Sequence, residues 1–108
     1  MGDEEFDAAL ERFDDLAEEL AGSGVIRESM FGHPCLKSGS KMFAVQFGDA
    51  IAFKLPAPEH ANALAMAGAE RFDPSGRGRP MKEWVQVPVA HAGHWRAFAE
   101  AAAAYVRA

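Results

Sequence analysis

Apolar residues recur three and four positions apart at the start of the chain. Phe6, Ala9, Leu10, Phe13, Leu16, Ala17 and Leu20 form one stripe, and carboxylates fill the opposite side. That period predicts an amphipathic helix over residues 3–21, ended by Gly22-Ser23-Gly24. The period then changes to two. Val25-Ile26 opens a strand running toward Phe31, and Pro34, which has no N–H for a ladder, puts the chain there at an edge or a bulge. Ser38-Gly39-Ser40 reads as a turn. Residues 41–47 alternate, with Phe43, Val45 and Phe47 expected on one face, and after Gly48-Asp49 the alternation resumes in Ile51, Phe53 and Leu55. Connections this short make the strands antiparallel neighbours.

A second helix is expected from Ala57-Pro58-Glu59, burying Ala61, Leu64 and Ala65 and stopping at Gly68. Arg71-Phe72 reads as extended, residues 73–80 as a loop by composition, and residues 83–87 as a final strand closed by Pro88. Trp95, Phe98, Ala99, Ala102, Tyr105 and Val106 mark a C-terminal helix, with Arg96 and Glu100 four apart on its exposed side. The order α-β-β-β-α-β(β)-α predicts a two-layer α+β domain, an antiparallel sheet of about 4–5 strands with helices on one face.

Composition narrows the class. At 108 residues the chain is expected to form a single domain spanning 1–108. Alanine supplies much of the 49% hydrophobic content, so eight Phe and two Trp must provide most of the core's bulk. No apolar run approaches the roughly 20 residues of a membrane helix, and an acidic N-terminus is not a secretory signal. A single cysteine, Cys35, cannot close an intramolecular disulfide, so a cytoplasmic location is expected. The net charge of −5 is uneven: residues 1–20 carry nine acids and one base, the rest seven acids and ten bases. The acidic helix side reads as a solvated face. A pI near 5.3 argues against direct nucleic-acid binding, where phosphate neutralisation dominates affinity.

Three constellations could carry chemistry. His33 and Cys35, two apart, would share a face on a regular strand. A thiol nucleophile also needs an orienting group and an oxyanion site, so a packed cysteine is the simpler reading. His60, His91 and His94 do not combine with them in the close pairs of a zinc site, and no metal or cofactor is expected. Phe31, Trp84 and Trp95 could stack a ligand, though their positions read as core. The loop Gly76-Arg77-Gly78-Arg79 is the best binding candidate. Its glycines let backbone N–H groups approach an anion and its arginines could clamp one, with Arg71, Lys82 and Lys54 reinforcing the field. It lacks the GxxxxGK[ST] pattern of a nucleotide loop.

Several short motifs, in order, resemble a known family. They are Met30-Phe31-Gly32, Met42-Phe43-Ala44, Phe53-Lys54-Leu55, Gly68, Arg71-Phe72, the stretch from Gly76 to Pro80, Met81, Trp84 and Val87-Pro88. Together they resemble the N-terminal domain of the TfoX/Sxy proteins, bacterial factors linked to competence gene regulation. Gly32-His33-Pro34 is shared with the more distant YjbR-like proteins. The resemblance covers roughly residues 25–90 and implies a two-layer fold similar to secretion chaperones. It also implies a non-enzymatic regulatory role through a protein partner, with transcription machinery as one such class, and it assigns no catalytic residue. Two-domain members carry a further C-terminal domain, and what depends on that domain is not implied here. Where those proteins more often have glycine and aromatic residues, this chain has His33-Pro34-Cys35. The alternatives are a small-ligand or anion binder, or minimal enzyme, using His33, Cys35 and the Gly-Arg loop, and a DNA-associated regulator. Monomer and homodimer both remain open.

Overall fold

The computed structural model describes residues 2–30, 32–73, 76, 78 and 81–108, with side chains from residue 7 onward. Helix α1 (Gly2–Leu20) leads through a short 3-10 turn into four successive antiparallel strands: β1 (Val25–Met30), β2 (His33–Ser38), β3 (Lys41–Phe47) and β4 (Ala50–Lys54). A short helix α2 (Glu59–Leu64) precedes β5 (Glu70–Arg71) and β6 (Trp84–Pro88), and α3 (Trp95–Arg107) closes the chain. The strands lie in the order β1-β2-β3-β4-β6-β5. This is the α+β, two-layer class that the element order predicts, with six strands in the sheet.

β2 is the strand that alternation does not announce. Pro34 interrupts its pattern, yet the strand is tolerated because the β2–β3 ladder begins only at Cys35↔Val45, beyond the proline. The chain thus meets the proline constraint at a ladder end, and the bulge occurs elsewhere. Between Leu36↔Ala44 and Lys37↔Met42 the register slips by one, leaving Phe43 as the extra residue of β3. This corrects the expected face assignment. Phe43 and Ala44 both join the core under the helices, while Val45 and Phe47 belong to the cluster on the other side.

The main core lies between the sheet and the helices. Phe13, Leu16 and Leu20 of α1 meet Leu36, Phe43, Ile51, Phe53, Val85 and Val87 of the sheet. Trp95, Phe98, Ala99, Ala102 and Val106 of α3 complete it, with the Phe53 and Phe98 rings 6.0 Å apart. Trp95 Nε1 donates to the Val87 carbonyl at 3.2 Å, so its one polar atom is satisfied inside the core. In α2 the buried residue is Ala63. Leu64 is half-buried, and Ala61 and Ala65 are exposed, contrary to the expected face, because the helix is only six residues long and meets β6 along one narrow edge. Arg107 ties the end of α3 to two turns, donating to Ser38 Oγ at 2.6 Å and to the Ser23 carbonyl at 2.7 Å. Among the described residues no helix is long and apolar enough to cross a membrane.

Candidate functional site: an apolar groove on the open sheet face

Register assigns the side of the sheet away from the helices. Met30↔His33, Glu28↔Cys35↔Val45↔Ala52↔Gln86 and Lys54↔Trp84 run across it. Most soluble antiparallel sheets alternate apolar and polar residues so that one face can meet water. Here Cys35, Val45, Ala52, Phe72 and Trp84 form a second buried cluster, with Met42 and Phe47 packed against it. β4 contributes Ala50, Ala52 and Lys54 on this side, and the small size of the two alanines leaves room for Phe72 and Trp84 to lie over the sheet. The rings make a continuous line. His33 and Phe47 are 5.0 Å apart, Phe47 and Phe72 meet edge-on at 5.4 Å, and Phe72 and Trp84 are 6.1 Å apart.

Beside this line is a groove of about 420 Å³ lined by Met30, His33, Met42, Val45, Phe47, Phe72 and Met81. The segment after β5 forms one wall: Phe72 N–H donates to the Trp84 carbonyl, and Met81 N–H to the Phe72 carbonyl. Among the described residues the exposed large hydrophobics are Ile26 (50%), Met30 (37%) and Met81 (39%). Met30 and Met81 line the groove, and Ile26 lies on the same face of β1, two register steps from Met30. Sequence reading misses this site because each methionine looks ordinary alone. The signal available was their number, since thioethers adapt to varied apolar partners and recur at such binding surfaces.

Cys35 sits beneath the groove, fully buried, between Glu28 and Val45. Burial pushes its thiol above the ordinary range, and the charges of Lys37, Glu28 and Arg27 modify that shift less. A protonated, inaccessible thiol is the reverse of an activated nucleophile. His33 shares the face, as expected for residues two apart, but its ring packs on Phe47. The other histidines go elsewhere: His60 Nε2 donates to the Lys82 carbonyl, His91 Nε2 to the Ala67 carbonyl, and His94 lies near Phe98. No cluster of three potential metal-ligating His, Cys, Asp or Glu side chains occurs among the described residues. Trp84 and Trp95 lie on opposite sides of the sheet, so the stacking box does not assemble, and Phe31 is outside the described residues.

The Gly-Arg loop has a different character from the one expected. Asp73 turns its own carboxylate into it: Gly76 N–H donates to Oδ1 at 3.1 Å and Gly78 N–H to Oδ2 at 2.9 Å. The backbone donors that would cradle an external anion already hold an internal one. Arg77 and Arg79 lie outside the described residues. Lys54 pairs with Glu83 at 3.9 Å, and Tyr105 donates its hydroxyl to the same carboxylate. That hydrogen bond, more than burial, raises the Tyr105 phenol above its usual range. Lys82 and Arg71 are exposed, Arg71 opposite Val85 on the short edge strand. No contact among the described residues unites Arg71, Lys54 and Lys82.

Comparison of the chain with protein-family models, with curated proteins and with solved structures finds no match. The groove's own chemistry therefore carries the functional reading.

Proposed function

We propose that the protein is a small, non-enzymatic regulatory domain of the cytoplasm that works by protein interaction. Its open sheet face receives an apolar segment of a partner between the β1–β2 hairpin and the segment around Met81. The observation that carries this is the placement of Ile26, Met30 and Met81 together on one face, beside a groove lined almost wholly by apolar side chains. Exposed apolar residues scattered singly need no explanation, whereas a contiguous patch marks an interaction surface. The resemblance of the motifs to the TfoX/Sxy N-terminal domain supports the regulatory side of this reading, with transcription machinery as the partner class.

The test is site-directed photo-crosslinking in cells, with the probe at Met81 and, as control, at Glu18 on the solvated side of α1. A discrete adduct from position 81, absent from 18 and abolished by Phe47→Ala, is expected. Equal crosslinking from both positions would overturn the reading. A second reading is favoured by the groove's size, which falls in the range of about 300–1,000 Å³ for small-molecule sites. Its single imidazole, His33, could anchor one polar group of an otherwise apolar ligand. Native mass spectrometry of the purified protein would show such a ligand as a fixed mass increment.

A further inference from the structure

The two edges of the sheet are unlike. β5 is two residues long, too short to template another strand, and so is blunted. β1 has six residues in unbroken register with β2, contains no Pro, Gly or Lys, and all but Val25 are exposed. Its protection rests on two charges, Arg27 and Glu28, each already paired within the chain, to Asp14 and to Lys37.

Its backbone polarity follows from the hairpin. Met30 and His33 are partners across a two-residue connection, and residues flanking such a connection exchange both their hydrogen bonds. Alternation then directs the N–H and C=O groups of Ile26, Glu28 and Met30 toward β2. Those of Arg27 and Ser29 point away from the sheet, to where another strand would lie.

We propose that β1 is a homodimerisation edge, pairing antiparallel with β1 of a second copy about a twofold axis at Glu28. An axis normal to the sheet keeps both helix layers on one side, so partners must share a face and the register is confined to a few choices. Centring on Arg27 would set two guanidinium groups against each other and place Ile26 opposite a carboxylate. Centring on Glu28 sets Ile26 opposite the second copy's Met30 twice, in the closely spaced pairs where side chains meet best. Arg27 and Ser29 then exchange the outward hydrogen bonds. The two Glu28 carboxylates face one another at the axis, each beside its own Lys37 at 3.3 Å. This like-charge pair makes the association weak enough to be reversible. The occupant is a second copy because Ile26 and Met30, two of the exposed large hydrophobics, fall in self-complementary positions. The dimer also places the two grooves on the same face of one continuous sheet, flanking the seam.

Sedimentation velocity of the full chain, up to millimolar concentration, tests this together with amide exchange. Dimer should form with rising concentration, and exchange of the Arg27 and Ser29 amides should slow with it. Ser29→Pro removes an outward donor without touching the β1–β2 ladder and should abolish the dimer, as should Ile26→Lys, with the circular dichroism unchanged. Glu28→Gln should tighten it by about two- to fivefold, the range for relieving one like-charge cross-strand pair. Met81→Glu should leave it intact, which separates this edge from the partner groove. A chain that stays monomeric at millimolar concentration, or a dimer indifferent to both Ser29→Pro and Ile26→Lys, would overturn the proposal.

Discussion

The two faces of one sheet differ in who covers them. On one face Phe43, Ile51, Phe53, Val85 and Val87 are sealed by α1 and α3. On the other, Cys35, Val45, Ala52 and Trp84 are covered chiefly by Phe72, leaving Ile26, Met30 and Met81 in water. Both faces are apolar, yet the chain supplies a full layer for only one. The first face serves stability, and the second leaves apolar surface exposed, which is what the proposed association would use. Substitutions of similar chemistry should therefore have different consequences on the two faces.

The largest contrast is in stability. Phe13→Ala, in the sealed core, should cost about 3–5 kcal/mol, a large part of what a small domain has. Phe47→Ala, half-buried on the open face, should cost about 1–2 kcal/mol. Chemical denaturation of both variants checks this, and equal losses would erase the distinction between the faces. The contrast should reverse in binding. Met81→Glu should leave the denaturation midpoint within experimental scatter while weakening capture of the crosslinked partner tenfold or more, as loss of a central apolar anchor does.

How much of this was legible in the sequence depends on the element. The helical stripe of α1, ending in Leu20, and that of α3 could be read because their periods are long and regular. β4 and β6 could be read from alternation closed by Pro56 and Pro88. β2 could not, since HPCLKS looks like a reactive cluster and its pairing depends on where the β3 ladder stops. The groove was illegible because Met30, Met42 and Met81 are far apart in sequence and converge only through pairing and the return of the chain after β5. In the loop the glycines suggest an anion cradle, and local sequence does not say that the N–H groups of Gly76 and Gly78 donate to Asp73.

The thiol sharpens the comparison through pH. Cys35 is protonated more firmly in the folded state than in the unfolded chain, because burial disfavours the thiolate. Its contribution is fully present below the ordinary thiol range. It is lost as pH rises above that range, because the unfolded chain then releases a proton that the folded one keeps. The slope approaches about 1.4 kcal/mol per pH unit. Tyr105 has the same sign, so the difference between wild type and Cys35→Ala isolates the thiol. Melting temperatures from pH 7 to 10 should fall less steeply in the variant, and a thiol reagent should label the native protein only at the rate of unfolding. The smallest effect is expected at Asp14, paired with Arg27 at 3.0 Å with both side chains about half exposed. Asp14→Ala should change stability by no more than about 0.5–1 kcal/mol, readable as a small midpoint shift that high salt erases.

The slip at Phe43 acts as a phase shift within β3. Residues before it and after it are read in opposite frames, so Met42 and Val45, three apart, share a face that strict alternation would deny them. It also makes the strand unequal in its tolerance of length. Excising Phe43 sacrifices one core ring but leaves every other cross-strand partner in place, because the remaining residues close into regular register. Excising Gln46 instead would throw Phe47 to the helix side or drag the Gly48 turn out of line with β4. The extra residue is a built-in joint where the chain can change length by one without turning the sheet inside out.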